Sequence, residues 1–150
     1  MSLDATQLRH AREAAIQMLY NWEMSGGDLQ DAIDGVRALE LRRPLAERDT
    51  LAVSLARGTA GHLARIDPLI AEAMTNWRIE RLAVLDRLVL RLATYEMLER
   101  RDVPPPAVIN EALELARAFS GPDAVRFVNG VLDAIRKRLA TESTSARPDA

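Results

Sequence analysis

The sequence predicts an all-α fold of about seven helices in two packed helical sub-bundles. Three observations carry that expectation. Apolar residues recur at three- and four-residue spacing along most of the chain. No stretch gives a strong strand signal. Glycine and proline fall at intervals that punctuate helices.

The first helix is expected over about residues 6–24, with Leu8, Ala11, Ala15, Leu19 and Trp22 on one stripe and Gly26-Gly27 as its stop. The second covers about 28–39, with Asp28 as N-cap. A connection at 41–44 follows. Leu51, Leu55, Leu63, Ile66 and Ile70 then share a stripe, interrupted at Asp67-Pro68, where proline removes an amide donor and crowds the preceding turn. This predicts a third helix over about 46–66 and a fourth over about 68–76. The fifth, about 79–100, is apolar nearly all round, which places it in the middle of a bundle, with Leu85, Leu88, Val89 and Leu92 in the core. Pro104-Pro105-Pro106 ends it and starts a sixth helix over about 106–119, burying Ile109, Ala112, Leu113 and Ala116. Ser120-Gly121-Pro122 ends that one. The seventh covers about 123–140 and buries Val128, Val131, Leu132, Ile135 and Leu139. Residues 1–140 thus read as one domain, with sub-bundles at about 5–66 and 68–140. The small, polar stretch 141–150 reads as a disordered tail.

A chain of 150 residues is the size of one domain, and 48% hydrophobic residues suffice for a core. Only 4% is aromatic, so aliphatic side chains and alanine must fill that core. The apolar runs fall far short of the roughly 20 residues that span a bilayer, and the N-terminus lacks a secretory pattern. No membrane association and a cytoplasmic location are expected. The absence of cysteine excludes disulfides, thiol catalysis and cysteine-bound metals. A net charge of −2 argues against nucleic-acid binding driven by overall charge but leaves room for a local basic patch. Lys137 is the only lysine. The arginine bias fits codon usage in a GC-rich genome and carries little weight by itself.

Catalytic chemistry is hard to find. His10 and His62 lie on different helices, without a second ligand at metal spacing, and read as surface or packing residues. There is no glycine-rich phosphate loop; Gly58 and Gly61 read as close helix packing. Ser54 and Ser120 have no elbow motif. Glu111 and Glu114, one turn apart, suit a solvated face or an ion pair. No enzyme, cofactor or metal site is expected.

The arginines offer more. Arg9 and Arg12 are one turn apart and should point the same way. Arg87 and Arg91 lie i, i+4 on the central helix, and Arg126 opens the last. Arg91 among leucines calls for a structural ion pair, for example with Glu111, or for a binding face. Phe127 either closes a bundle edge or offers a ring to a splayed base. Tyr20 is either half-buried in the bundle or part of an interface.

Several stretches together resemble a known family. Arg12-Glu13-Ala14-Ala15-Ile16-Gln17-Met18-Leu19-Tyr20-Asn21-Trp22 is similar to the opening helix of the NusB family, and Leu90-Arg91-Leu92-Ala93-Thr94-Tyr95-Glu96 to its central helix. Asp102-Val103-Pro104, Ile109-Asn110-Glu111-Ala112, Glu114-Leu115-Ala116 and Phe127-Val128-Asn129-Gly130-Val131-Leu132-Asp133 follow in register, so the resemblance spans about residues 8–140. It implies a pair of small helical bundles. It further implies a transcription antitermination factor that binds boxA RNA of ribosomal RNA leaders together with the ribosomal protein NusE, within an RNA polymerase antitermination complex. Residue by residue, it places Arg9, Arg12, Arg91, Asp123, Arg126 and Phe127 on or beside an RNA face. Tyr20 and Asp86 match a protein-partner surface. Asn110, Glu111 and Asn129 fall in signature motifs and read as structural polar groups tying helices. The consecutive basic residues common at the family's N-terminus are reduced here to Arg9 and Arg12, with Asp4 and Glu13 as formal countercharges.

Two alternatives stand beside this reading. A related helical domain precedes the catalytic domain of certain ribosomal-RNA cytosine methyltransferases; the chain's length favours the free factor. The other is a helical interaction or homodimerisation module with no RNA role.

Overall fold

The computed structural model describes residues 3–39, 46–74 and 78–146. The expected connection at 41–44, and the expected fourth helix beyond residue 74, therefore fall wholly or partly outside the described residues. Seven α-helices and no strand occur among the described residues. The chain divides into two compact units, Met1–Leu63 and Ala64–Ala150.

The first unit holds α1 (Ala5–Ser25), α2 (Leu29–Leu39) and α3 (Ala46–Gly61). Asp4 caps α1 reciprocally: its Oδ1 accepts from the Gln7 amide at 2.8 Å, and Gln7 Oε1 accepts from the Asp4 amide at 2.9 Å. The helix ends at Gly26, whose φ of 68° is left-handed and whose amide bonds Trp22 O. Asp28 caps α2 by accepting from the Gln30 amide at 3.1 Å. α1 packs on both α2 and α3. Buried alanines on α1 (Ala11, Ala15) and α3 (Ala52, Ala56) are small enough for close approach, and Ile16, Leu19, Ile33 and Leu55 fill the core between the helices.

The second unit holds α4 (Leu63–Ala73, its first residue on the boundary), a 3₁₀ turn at Ile79–Arg81, α5 (Val84–Glu99), α6 (Pro105–Ser120) and α7 (Pro122–Ala146). α5, α6 and α7 pack pairwise around Leu90, Leu92, Ala116, Val128 and Leu132. The α6–α7 connection is Gly121 alone, at φ 100°, a conformation that side chains rarely adopt. The core helix α5 also buries Glu96, which pairs with Arg100 at 3.3 Å.

Four expectations need correcting. Pro68 lies inside α4 and does not start it. Its ring costs that helix about 3 kcal/mol. Ile66 and Ile70, both 0% exposed, each return roughly 1.5–3 kcal/mol by holding one continuous face against the core. The break falls instead at His62. Its amide bonds Thr59 O at 3.2 Å, and its ring Nδ1 donates to Gly58 O at 2.6 Å. The imidazole thus takes the carbonyl that the helix would have used, and His62 is the C-terminal cap of α3. A Cβ on Gly61 would meet nothing within 4 Å, so that glycine marks a helix end and not a close packing. Next, Ile79–Arg81 form a 3₁₀ turn ahead of α5 and not its first turn, with Arg87 Nη1 donating to Ile79 O at 3.5 Å and Leu82 O at 3.4 Å. Finally, α7 continues to Ala146. Thr141 Oγ1 donates to Lys137 O at 3.1 Å and Arg138 pairs with Glu142 at 3.3 Å, which extends a helix that composition reads as tail.

Candidate nucleic-acid interface

In the first unit, α1 carries Arg9, Arg12 and Tyr20. Arg9 is exposed, but Arg12 is only 5% exposed and sits next to Ala11 on the buried face. The one-turn spacing therefore does not give two equivalent cations: a 60° offset carries Arg12 over the edge of the apolar stripe. Tyr20 is 39% exposed, and Met24, one turn on, is 52% exposed. A phenol and a thioether on one exposed face make an amphipathic patch suited to a protein surface.

In the second unit, Arg91 projects from mid-α5 and forks onto Asp67 of α4, with Nε and Nη2 each 2.9 Å from a carboxylate oxygen. Both side chains are largely shielded, at 16% and 31% exposure. A bidentate, partly desolvated pair is among the strong polar contacts. It ties α4 to α5, as Arg138 of α7 ties to Glu72 of α4 at 3.3 Å. Asp86, in the first turn of α5, is half-buried, and its Oδ1 is out of solvent with no hydrogen-bond partner among the described residues.

The first turns of α7 bring three expected residues together. Asp123, Arg126 and Phe127 stand at i, i+3 and i+4 and share one face. Asp123 and Arg126 are exposed, while Phe127 is half-buried beside buried Ala124 and Val128, which puts the ring at the edge of the core. Asn129, three residues beyond Arg126, is exposed and makes no side-chain hydrogen bond among the described residues, as is Asn110 on α6. Neither amide ties helices, contrary to expectation. Asn129 adds a donor and an acceptor to the face of Arg126, and its spacing from that residue is the signal that would have found it. Glu111 is half-buried and does interact. Glu114 pairs with Arg117 at 2.6 Å on a solvated face.

Such a face offers a cation for phosphate, a ring for stacking and short polar groups for base edges, which is what single-stranded RNA recognition uses. Among the described residues no group of three or more His, Asp or Glu could hold a metal ion, and no helix is long and apolar enough to cross a membrane.

The family model described as NusB family matches residues 9–137. The transcription antitermination protein NusB of Solibacter usitatus is 44% identical over 131 residues, covering 87% of this chain and 89% of the relative. That of an Anaeromyxobacter species is 42% identical over 144 residues, covering 95% and 96%. Among solved structures, NusB of T. maritima superposes with a TM-score of 0.78 at 33% identity, covering 91% of this chain and 93% of that one. A chain of the crystal structure of antitermination factors NusB and NusE in complex with dsRNA superposes with a TM-score of 0.80 at 27% identity, covering 90% and 99%.

Proposed function

The chain belongs to the NusB family, and from that premise we propose that it is a transcription antitermination factor acting as one half of an RNA-binding pair. Its partner is the ribosomal protein NusE. Its RNA is the boxA element of ribosomal RNA leaders, and its effect is processive transcription of ribosomal RNA operons by polymerase in the cytoplasm. The relatives are named for transcription antitermination, not for an enzymatic reaction. One observation carries the reading: the α7 face of Asp123, Arg126 and Phe127, in a chain that superposes over 90% of its length on a protein solved together with NusE and RNA.

Within that reading, Arg9 and Arg126 make phosphate contacts and Phe127 stacks on a base. Asp123 accepts from exocyclic amino groups. Arg12 and Arg91 act through position: one is buried and the other is held by Asp67. Titration of boxA RNA with this protein, with and without NusE, tests the proposal. Binding that strengthens with NusE and fails on a scrambled RNA is expected. Equal binding of both RNAs would remove the boxA assignment.

Tyr20 and Asp86 are assigned to NusE. The Asp86 side chain is half-buried and makes no ion pair or hydrogen bond among the described residues, which leaves its charge to a donor on the partner. Asp86→Lys should weaken NusE binding at least tenfold, about 1.4 kcal/mol, with the helical circular dichroism retained. Unchanged affinity would take Asp86 out of the interface.

A further inference from the structure

We infer that Arg78 and Arg81, at the turn that leads into α5, form a second phosphate-binding edge for single-stranded RNA. The inference rests on the RNA-binding reading above. It starts from the 3₁₀ turn. The Arg81 amide bonds Arg78 O at 3.0 Å, and the Leu82 amide bonds Ile79 O at 3.3 Å. Arg81 is the last residue of that turn and Arg78, in extended backbone at φ −91° and ψ 141°, is its N-cap, so the two cations bracket the turn. Arg87, from the first turn of α5, clamps the turn through the carbonyls of Ile79 and Leu82. The pair is therefore mounted on a braced element at the N-terminal end of α5. α5 packs on α7, which presents Arg126 in its own first turns.

These cations are also available, as are Arg65 and Arg101 elsewhere on the second unit. Arg91, Arg100, Arg117, Arg136 and Arg138 each hold a carboxylate. Arg78, Arg81 and Arg126 are exposed, and their side chains make no ion pair or hydrogen bond among the described residues. A guanidinium with no carboxylate to release loses nothing by forking onto a phosphate. Glu80 lies between the two arginines in the chain and Asp86 follows in the first turn of α5, so the surface is not a uniformly positive field. It is a set of separate forks, which suits discrete phosphates and not general attraction. The net charge of −2 agrees with that reading.

The test compares wild type with Arg78→Ala/Arg81→Ala for binding of a single-stranded boxA oligonucleotide in the presence of NusE, across a range of salt concentrations. Two lost phosphate contacts should flatten the slope of log affinity against log salt by about 1.4. Arg78→Lys/Arg81→Lys, which keeps the charge, should retain the wild-type slope. Should the alanine pair loosen the turn in thermal melts, Arg78→Gln/Arg81→Gln keeps the stems and should give the same flattening. Wild-type slope and affinity in the charge-removing variants would overturn the inference while leaving the RNA-binding reading intact. So would a loss of NusE affinity in the absence of RNA, which would make this edge a protein surface. Failure of the wild-type protein itself to bind the oligonucleotide would overturn both.

Discussion

Leu88→Ala is expected to cost ~2–5 kcal/mol of folding stability. Leu88 is 2% exposed on α5, the helix that packs on both α6 and α7. Truncation removes buried methyl groups and leaves a cavity that the helices packed around it close only in part. Urea unfolding followed by helical circular dichroism measures the effect: the midpoint should fall with little change in slope. Leu85→Ala is the internal control. Leu85 is half-buried, one turn nearer the helix start, and its loss should be smaller. A change below about 0.5 kcal/mol at Leu88 would mean that this face of α5 is not core.

The contrast between Leu88 and Leu85 shows what periodicity in the sequence resolves. Spacing identifies α5 as the central helix of its bundle and finds Leu88, Val89 and Leu92 buried. It does not resolve where that helix starts. Nothing between Ile79 and Val84 is a glycine or proline, and the turn there is held by an arginine reaching back to carbonyls, a contact invisible to local propensity. Pro68 shows the converse. The strongest local breaker in its segment is overridden by a buried face that continues through it, while the true end of α3 is set by an imidazole that reads as an ordinary surface or packing residue. Helix breaks are thus legible when backbone chemistry alone makes them, at Gly26 and Gly121, and illegible when a side chain does.

The candidate site divides along the same line. The α7 face follows from spacing, because i, i+3 and i+4 neighbours on a helix meet wherever the helix lies. Burial does not follow from spacing. Arg9 and Arg12 are one turn apart, yet only Arg9 is exposed, since a stripe edge passes between them. Arg91 needed a partner, as its leucine-rich surroundings imply, but Asp67 is separated from it by a helix boundary and a 3₁₀ turn. A sequence announces that such a charge must be compensated and does not announce by which residue.

Arg9→Ala, Arg12→Ala and Phe127→Ala should therefore leave three different signatures. Arg9 is an exposed cation, and its removal should flatten the salt dependence of boxA binding by about 0.7, with folding stability unchanged. Arg12 is buried, so its removal strips packing and polar contacts from the face of α1 that meets the core of its unit. Stability should fall by ~1–3 kcal/mol, and the salt slope should stay at its wild-type value. Phe127 offers stacking, which involves no counterion release. Its loss should weaken binding by ~1–3 kcal/mol at every salt concentration, giving a parallel line. The half-buried ring also touches the question of core against surface. Thermal melts on the same three proteins separate the two: a modest drop for Phe127→Ala with a large loss of RNA affinity assigns the ring to RNA. Unfolding, with RNA affinity unchanged in the milder Phe127→Leu, would assign it to the bundle edge. A salt slope that falls with Arg12→Ala but not with Arg9→Ala would reverse the assignment of the two arginines, because only a guanidinium that reaches phosphate releases counterions.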